Sequence, residues 1–290
     1  MDAEERERWL NARRDGVGAS EAAAVVGLNP YRTALEVYFD KLGVLPRQES
    51  RRTQVGTLIE PVIARLYEAE TGRTATAAQV HFVHPVWPWM MATVDYVTEG
   101  PGGERVLEVK RVGYGGARDW RNGPPVYYTL QVQQQLACMD FECGEIAALI
   151  GDDEFAIYSV ARDDAQIATL AEAERKFMDA VRSETPPLPD FAHPSTEELL
   201  KLIRPVEEET VELPDECVKI ADEYARLGET EGELKRRRAE LKSRLVYAMG
   251  AAEIGFLADG RTVERSVRRV RGYAVQPREQ IDFTIKRART

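Results

Sequence analysis

Apolar residues in the first third of the chain recur at helical spacing. Ser20 stands before an alanine-rich run and predicts the cap of a helix over Glu21–Val26, with Gly27 as its stop. Asn29-Pro30 predicts a second start with proline in the first helical turn. Leu35, Tyr38, Phe39 and Leu42 form its apolar stripe, and Gly43 its end. A third helix is expected from Thr53 to Thr71, with Leu58, Ile59, Val62, Ile63 and Leu66 at helical spacing and Gly72 behind it. Pro61 inside that helix predicts a kink or a fresh start.

The pattern then turns to β-branched and aromatic runs. Val80–Val83, Trp89–Thr98 and Arg105–Val112 read as strands, with Gly100-Pro101-Gly102-Gly103 turning the chain between the last two. A glycine-rich segment from Gly113 to Pro125 leads to a helix over Val126–Met139. Strands at Cys143–Gly151 and Glu154–Val160 and a helix over Asp163–Ser183 follow, and Pro186-Pro187-Leu188-Pro189 reads as a linker. Beyond it Ile220, Leu227, Leu234, Leu241 and Ala248 recur every seven residues in a long helix with one apolar seam. The companion positions Tyr224, Glu231, Arg238 and Leu245 are only half apolar. The expected domains are residues 1–190, an α/β core with a mixed central sheet flanked by helices, and 191–290, a mainly helical arm with a basic tail.

Composition narrows the class. With 290 residues, 43% hydrophobic and 30% charged, the chain has the material for one large core or two smaller ones and is not intrinsically disordered. No apolar run approaches the ~18 residues that cross a bilayer. The charged start, Met1-Asp-Ala-Glu-Glu, lacks a signal core and predicts a cytoplasmic protein. Cys138, Cys143 and Cys217 are too few for a four-thiolate iron–sulfur or zinc site. The net charge of −10 argues against a generic DNA-coating protein but not against a nuclease, whose basic channel can sit on an acidic body. From Gly255 to Thr290 the chain holds nine Lys/Arg and four Asp/Glu, net +5, which leaves −15 elsewhere.

The candidate chemistry lies around the Gly100–Gly103 turn. In a symmetric hairpin, opposed residues sum to 203, so Asp95 faces Glu108 and Thr93 faces Lys110. Residues two apart share a strand face, so Glu108 and Lys110 point the same way. Two carboxylates about 5 Å apart repel unless a cation lies between them. Oxygen ligands without Cys or His favour magnesium, with manganese as a substitute. The Lys110 ammonium can polarise a water and offset phosphate charge. Taken alone, Val-x-Glu-x-Lys is an ordinary surface strand; the opposed Asp95 is what singles it out. Glu60 lies on a helix upstream, and Gln131 and Gln135 share a face of the helix downstream. His81 and His84, near Trp87 and Trp89, read as packed residues with no assigned role.

Glu in a helix, Asp on a strand, Glu-x-Lys on the next strand and Gln on the following helix resembles the PD-(D/E)XK nucleases. More narrowly, the chain resembles the YqaJ-type phage recombination exonucleases, relatives of phage lambda exonuclease. Four stretches carry the likeness: Gly18-Ala19-Ser20-Glu21 with Gly27-Leu28-Asn29-Pro30-Tyr31; Gly56-Thr57-Leu58-Ile59-Glu60-Pro61; Asp95 with Leu107-Glu108-Val109-Lys110; and Tyr128 with Gln131-Val132-Gln133.

The resemblance implies a restriction-endonuclease-like core and a magnesium-dependent exonuclease that digests one strand of duplex DNA from its 5′ end. It implies Asp95, Glu108 and the Val109 carbonyl as metal ligands, Glu60 as a further acidic contact and Lys110 as the catalytic lysine. Arg13, Ser20 and Gln131 fall where the family handles the terminal phosphate, water or DNA, and Arg118 at a DNA contact. Arg111 and Arg121 are candidates for gripping the backbone, as are Arg265, Arg268, Arg269 and Arg271 in the tail. The implied partners are duplex ends, a single-strand annealing protein and further copies of the chain, in the cytoplasm of a bacterial host with a phage or prophage. No iron–sulfur cluster is expected. A structure-specific or nicking endonuclease of the same fold and a catalytically silent DNA-binding module are the alternative readings.

Overall fold

A computed structural model describes residues 13–46, 51–78, 80–204, 210–267, 269, 283 and 285. The chain divides into two units, Met1–Pro205 and Val206–Thr290.

In chain order the first unit holds β1 (Val17–Gly18), α1 (Ala22–Val25), α2 (Ala34–Lys41), α3 (Arg51–Thr71), β2 (Thr74–Ala77), β3 (His81–Val83), β4 (Met90–Thr93) and β5 (Tyr96–Glu99). It continues with β6 (Arg105–Val112), α4 (Val126–Met139), β7 (Cys143–Ile150), β8 (Glu154–Ala161), α5 (Asp164–Arg182) and α6 (Thr196–Ile203). The central sheet runs β2-β5-β6-β7-β8. Its β6–β7 pair is parallel and the other pairs antiparallel, so the sheet is mixed, with helices on both faces as expected. The parallel pair needs a crossover, which α4 supplies.

Strand β6 sorts the layers by its period of two. Leu107 and Val109 pack with Ile63 and Tyr67 of α3 on one face. Val106 and Val112 pack with Val132 and Leu136 of α4 on the other. Glu108 and Lys110 share that second face. The helix lies close to the sheet at Gly144, where a Cβ would come within 2.5 Å of Val132 Cγ1, so glycine is required there.

The hairpin register agrees with the sequence reading, Tyr96 pairing with Leu107 and Val97 with Val106. The strand expected over Trp89–Thr98 is broken at Val94-Asp95, however. Its first half, β4, belongs to a second sheet of order β1-β4-β3. Thr93 therefore pairs with His81 and does not face Lys110. Glutamines of α4 hold the two sheets together: Gln134 Nε2 donates to the carbonyls of Val17 and Met91 at 2.8 and 2.9 Å. Gln135 Nε2 reaches Thr93 O at 3.2 Å.

Three further expectations are corrected. Ser20 caps no helix; it is exposed within a 3-10 turn, Ala19–Glu21, and Glu21 Oε2 accepts from Gly18 N instead. Pro30 does not open a helix, because the Asn29 side chain folds Tyr31 and Arg32 into a turn; α2 starts after Thr33, whose hydroxyl accepts from Glu36 N. Pro61 neither ends nor restarts α3, which is continuous from Arg51 to Thr71. In α3 the buried side chains are Ile63, Ala64 and Tyr67, whereas Leu58, Val62 and Leu66 are exposed.

Residues after the proline-rich stretch stay with the first unit. Thr196 Oγ1 donates to Asp190 O at 2.6 Å, and His193 Nε2 lies 3.0 Å from Asn29 O. The second unit contains α7 (Glu216–Met249) and a hairpin of β9 (Ile254–Phe256) and β10 (Thr262–Glu264), the latter not foreseen from the sequence. Among the described residues no helix is long and apolar enough to cross a membrane.

Candidate active site

The break at Val94-Asp95 makes the site. Released from strand pairing, Asp95 turns its carboxylate to the β6 backbone, where Oδ2 accepts from Val109 N at 3.2 Å. Glu108, 2% exposed, lies next to it on β6. Its Oε1 accepts from Lys110 Nζ and, at 2.7 Å, from Gln131 Nε2. Its Oε2 accepts from Gln135 Nε2 at 2.6 Å. Two glutamines one helical turn apart thus clamp both oxygens of one buried carboxylate. Lys110 Nζ also lies over the Tyr128 ring, 4.7 Å from its centroid, a cation–π contact.

The electrostatics are those of crowded negative charge. Burial and then the Glu108 charge push the Asp95 carboxyl up to about 8, against the pull of Lys110. Burial and Glu108 also raise Glu60. Burial opposes the charged form of Lys110, but Glu108 and Asp95 outweigh it and hold the ammonium above its ordinary range. One lysine therefore serves three neighbouring carboxylates. Glu60 lines a cleft of about 430 Å³ together with Lys110, Val109, Arg111, Tyr128, Tyr31, Gly56 and Thr57. Among the described residues no group of three His, Cys, Asp or Glu side chains is arranged to hold a metal ion. Asp95, Glu108 and Glu60 are the carboxylate donors the site offers.

A second, smaller cleft of about 50 Å³ is lined by Arg13, Gly18, Ala19, Ser20, His81, Ala92, Thr93 and Gln131. Gln131 lines this cleft and donates to Glu108, the partner of Lys110. Arg13 is tied to Glu21, a hub that the sequence reading did not single out. Glu21, 2% exposed, pairs with Lys41 at 2.6 Å, Arg32 at 3.4 Å and Arg13 at 3.7 Å. Burial works to raise its carboxyl, but Lys41, Arg32 and Arg13 together hold it below the usual range. The available signal was an acid placed directly before an all-apolar Ala22-Ala23-Ala24 run.

The predicted residues thus fall into three groups. Asp95, Glu108, Val109, Lys110, Gln131 and Glu60 come together around the middle of β6. Arg13 and Ser20 line the adjoining cleft. Arg118 is exposed and lines a separate cavity of about 540 Å³ with Arg121, Tyr114 and Trp120. Gln135 and Tyr128 join the site through their contacts with Glu108 and Lys110. In the second unit, the Arg265 guanidinium donates to the carbonyls of Ala252 and Gly250. Arg268 and Arg271 lie outside the described residues.

Residues 8–142 match the YqaJ-like viral recombinase domain. The resemblance read from the motifs is borne out. The uncharacterized protein YqaJ of Bacillus subtilis strain 168 is 30% identical over 177 residues, 59% of this chain. That match spans 55% of the relative's length. The fold is also that of LHK-Exo, an alkaline exonuclease from Laribacter hongkongensis, at a TM-score of 0.52 and 23% identity over 62% of this chain and 94% of that one. LHK-Exo in complex with dAMP gives 0.53 and 24% over the same shares.

Proposed function

We propose that the chain is a metal-dependent deoxyribonuclease that resects one strand of duplex DNA from its 5′ end. The observation that carries this reading is the convergence of Asp95, Glu108 and Lys110 beside the Gln131 and Gln135 clamp. A buried pair of carboxylates, one of them forced toward its neutral form, is a costly arrangement in the absence of a cation. Its hard oxygen donors fit magnesium, with manganese as a substitute, and no soft ligand competes. A divalent ion held by Asp95, Glu108 and the Val109 carbonyl would lower the pKa of a bound water and neutralise the phosphate.

The protein's own groups do the rest. Lys110, kept charged by Glu108 and Asp95, orients the attacking water and offsets charge on the reacting phosphate. Gln131 and Gln135 fix the rotamer of Glu108, so its carboxylate pays little reorganisation when the substrate arrives. Glu60 adds an acidic contact across the larger cleft. Arg13 and Ser20 are assigned the terminal 5′ phosphate in the smaller cleft, and Arg118 a backbone phosphate. The exonuclease name of the similar fold, and dAMP as the ligand in one of its crystals, agree with release of single deoxynucleotides. Resection from a 5′ end leaves a 3′ overhang, the substrate of a single-strand annealing protein.

Lys110→Ala tests the assignment. It should bind duplex DNA as the unmodified chain does while losing about a hundredfold or more in cleavage, the scale of one transition-state charge contact. Asp95→Ala and Glu108→Ala should abolish cleavage. Turnover near that of the unmodified chain in any of the three would remove the site from β6.

A further inference from the structure

The second unit is built on α7, 34 residues or about 51 Å of helix, and none of its side chains is buried. Its seam of Ile220, Tyr224, Leu227, Leu234, Leu241 and Leu245 is exposed throughout, Leu234 at 65% and Tyr224 at 58%. Phe283 meets the Tyr224 ring edge-on, centroids 5.4 Å apart, and leaves the seam open. Gly228 and Gly232 weaken the element as an isolated helix, so its length argues for a covering surface.

Charge identifies the cover. From Glu216 to Glu233 the helix carries six acidic and two basic residues, net −4; from Leu234 to Met249 it carries six basic and one acidic, net +5. The seam repeats the division, with Glu231 in the first half and Arg238 in the second. In a parallel pair each seam residue meets its own counterpart, so Glu231 would face Glu231 and Arg238 would face Arg238. In an antiparallel pair the acidic half of one helix lies along the basic half of the other, and Glu231 comes within reach of the partner's Arg238.

We propose that α7 pairs antiparallel with α7 of a second copy of this chain, centred near the boundary between Glu233 and Leu234. Like charges rule out the parallel arrangement, and opposite charges fix the register that the apolar seam alone leaves free. The segregated charge also suits the helix dipole, but the dipole gives no reason for an exposed leucine seam.

Cross-linking in the full chain tests the pairing. In a Cys143→Ser, Cys217→Ser background, Tyr224→Cys and Leu241→Cys are made separately, one tagged, and oxidised alone and mixed. Antiparallel pairing puts residues 224 and 241 in one layer and holds two copies of residue 224 roughly 25 Å apart. The mixture should therefore yield a disulfide-linked dimer of tagged and untagged chains, and neither variant alone should. Sedimentation of Leu227→Arg, Leu234→Arg should give half the mass of the unmodified chain, with the thermal unfolding of the first unit unchanged. Self-cross-linking of either variant would show a parallel pair and overturn the proposal. A mass unaffected by the double arginine variant, with no cross-link in the mixture, would overturn it in favour of a seam covered within one chain.

Discussion

Single residues decide what this fold can do, and Glu21 shows how. Its carboxylate is enclosed with Lys41, whose side chain is 3% exposed, on Oε2, and it holds Arg32 and Arg13 on Oε1. Removing one member of such a buried pair leaves the other charge without its partner, at a cost of about 3–5 kcal/mol. Glu21→Ala should lower unfolding stability by that amount in urea melts; a loss below 1 kcal/mol would mean that Lys41 finds another partner. Arg13 extends from this hub to the smaller cleft. If it receives a 5′ phosphate, 5′-phosphorylated duplexes are degraded faster than 5′-hydroxyl ones, and Arg13→Ala narrows that difference by about 1.5–3 kcal/mol, the worth of a charge-assisted contact. Equal rates on both ends for the unmodified chain would make Arg13 and Ser20 structural. The Glu108 clamp was half legible in advance, since Gln131 and Gln135 at i and i+4 share a face whatever they bond to. That both end on one carboxylate depends on how α4 crosses the sheet, which is set by close packing at Gly144.

Among the elements, the correspondence of pattern and structure held where periodicity was strong and local. The bounds of β6 and α4 are those the sequence predicts, because each carries a full period of buried residues between clear turns. It failed where polar side chains replace backbone partners. Asn29 bends a segment that proline alone suggested as a helix start, and the Val94-Asp95 break divides an apolar run whose halves look alike. Strand β2 was missed because Thr74–Ala77 lies at the sheet edge with little apolar content. Helix α5 contains a less visible feature. Glu174 is fully buried, and neither of its carboxyl oxygens has a hydrogen-bond partner among the described residues. Burial and then the Glu21 charge raise it well above the ordinary carboxylate range. A carboxyl raised in the folded state binds more protons there than in the unfolded chain, so its effect on stability becomes unfavourable as pH rises past the usual glutamate value. Glu174→Gln should therefore match the parent near pH 4.5 and exceed it in melting temperature at pH 7–8. A variant that is less stable at pH 8 than the parent would show that the charge is compensated.

The whole molecule joins an acidic body to a basic end. The core organises two sheets around α4 so that Asp95, Glu108 and Lys110 meet beside a cleft, and the alkaline exonucleases it resembles share that fold. What the last 36 residues do for DNA is a separate question. If their arginines neutralise phosphates, truncation before Gly255 should weaken DNA binding and shrink the slope of log affinity against log salt, while cleavage of short duplexes persists. An unchanged slope would leave the tail to protein contacts, and the hydrogen bonds of Arg265 to the turn between α7 and β9 already assign that residue a structural part. In the proposed function the β6 cluster hydrolyses DNA from one end with a divalent ion. The direct measurement is a time course on linear duplexes labelled at the 5′ or the 3′ end, with magnesium or with chelator, for the unmodified chain and Lys110→Ala. Early release of the 5′ label as mononucleotide with retention of the 3′ label on long fragments is expected, and release of neither label in chelator or in Lys110→Ala. Cleavage that persists in chelator, or that Lys110→Ala carries out at the rate of the unmodified chain, would contradict the proposed function.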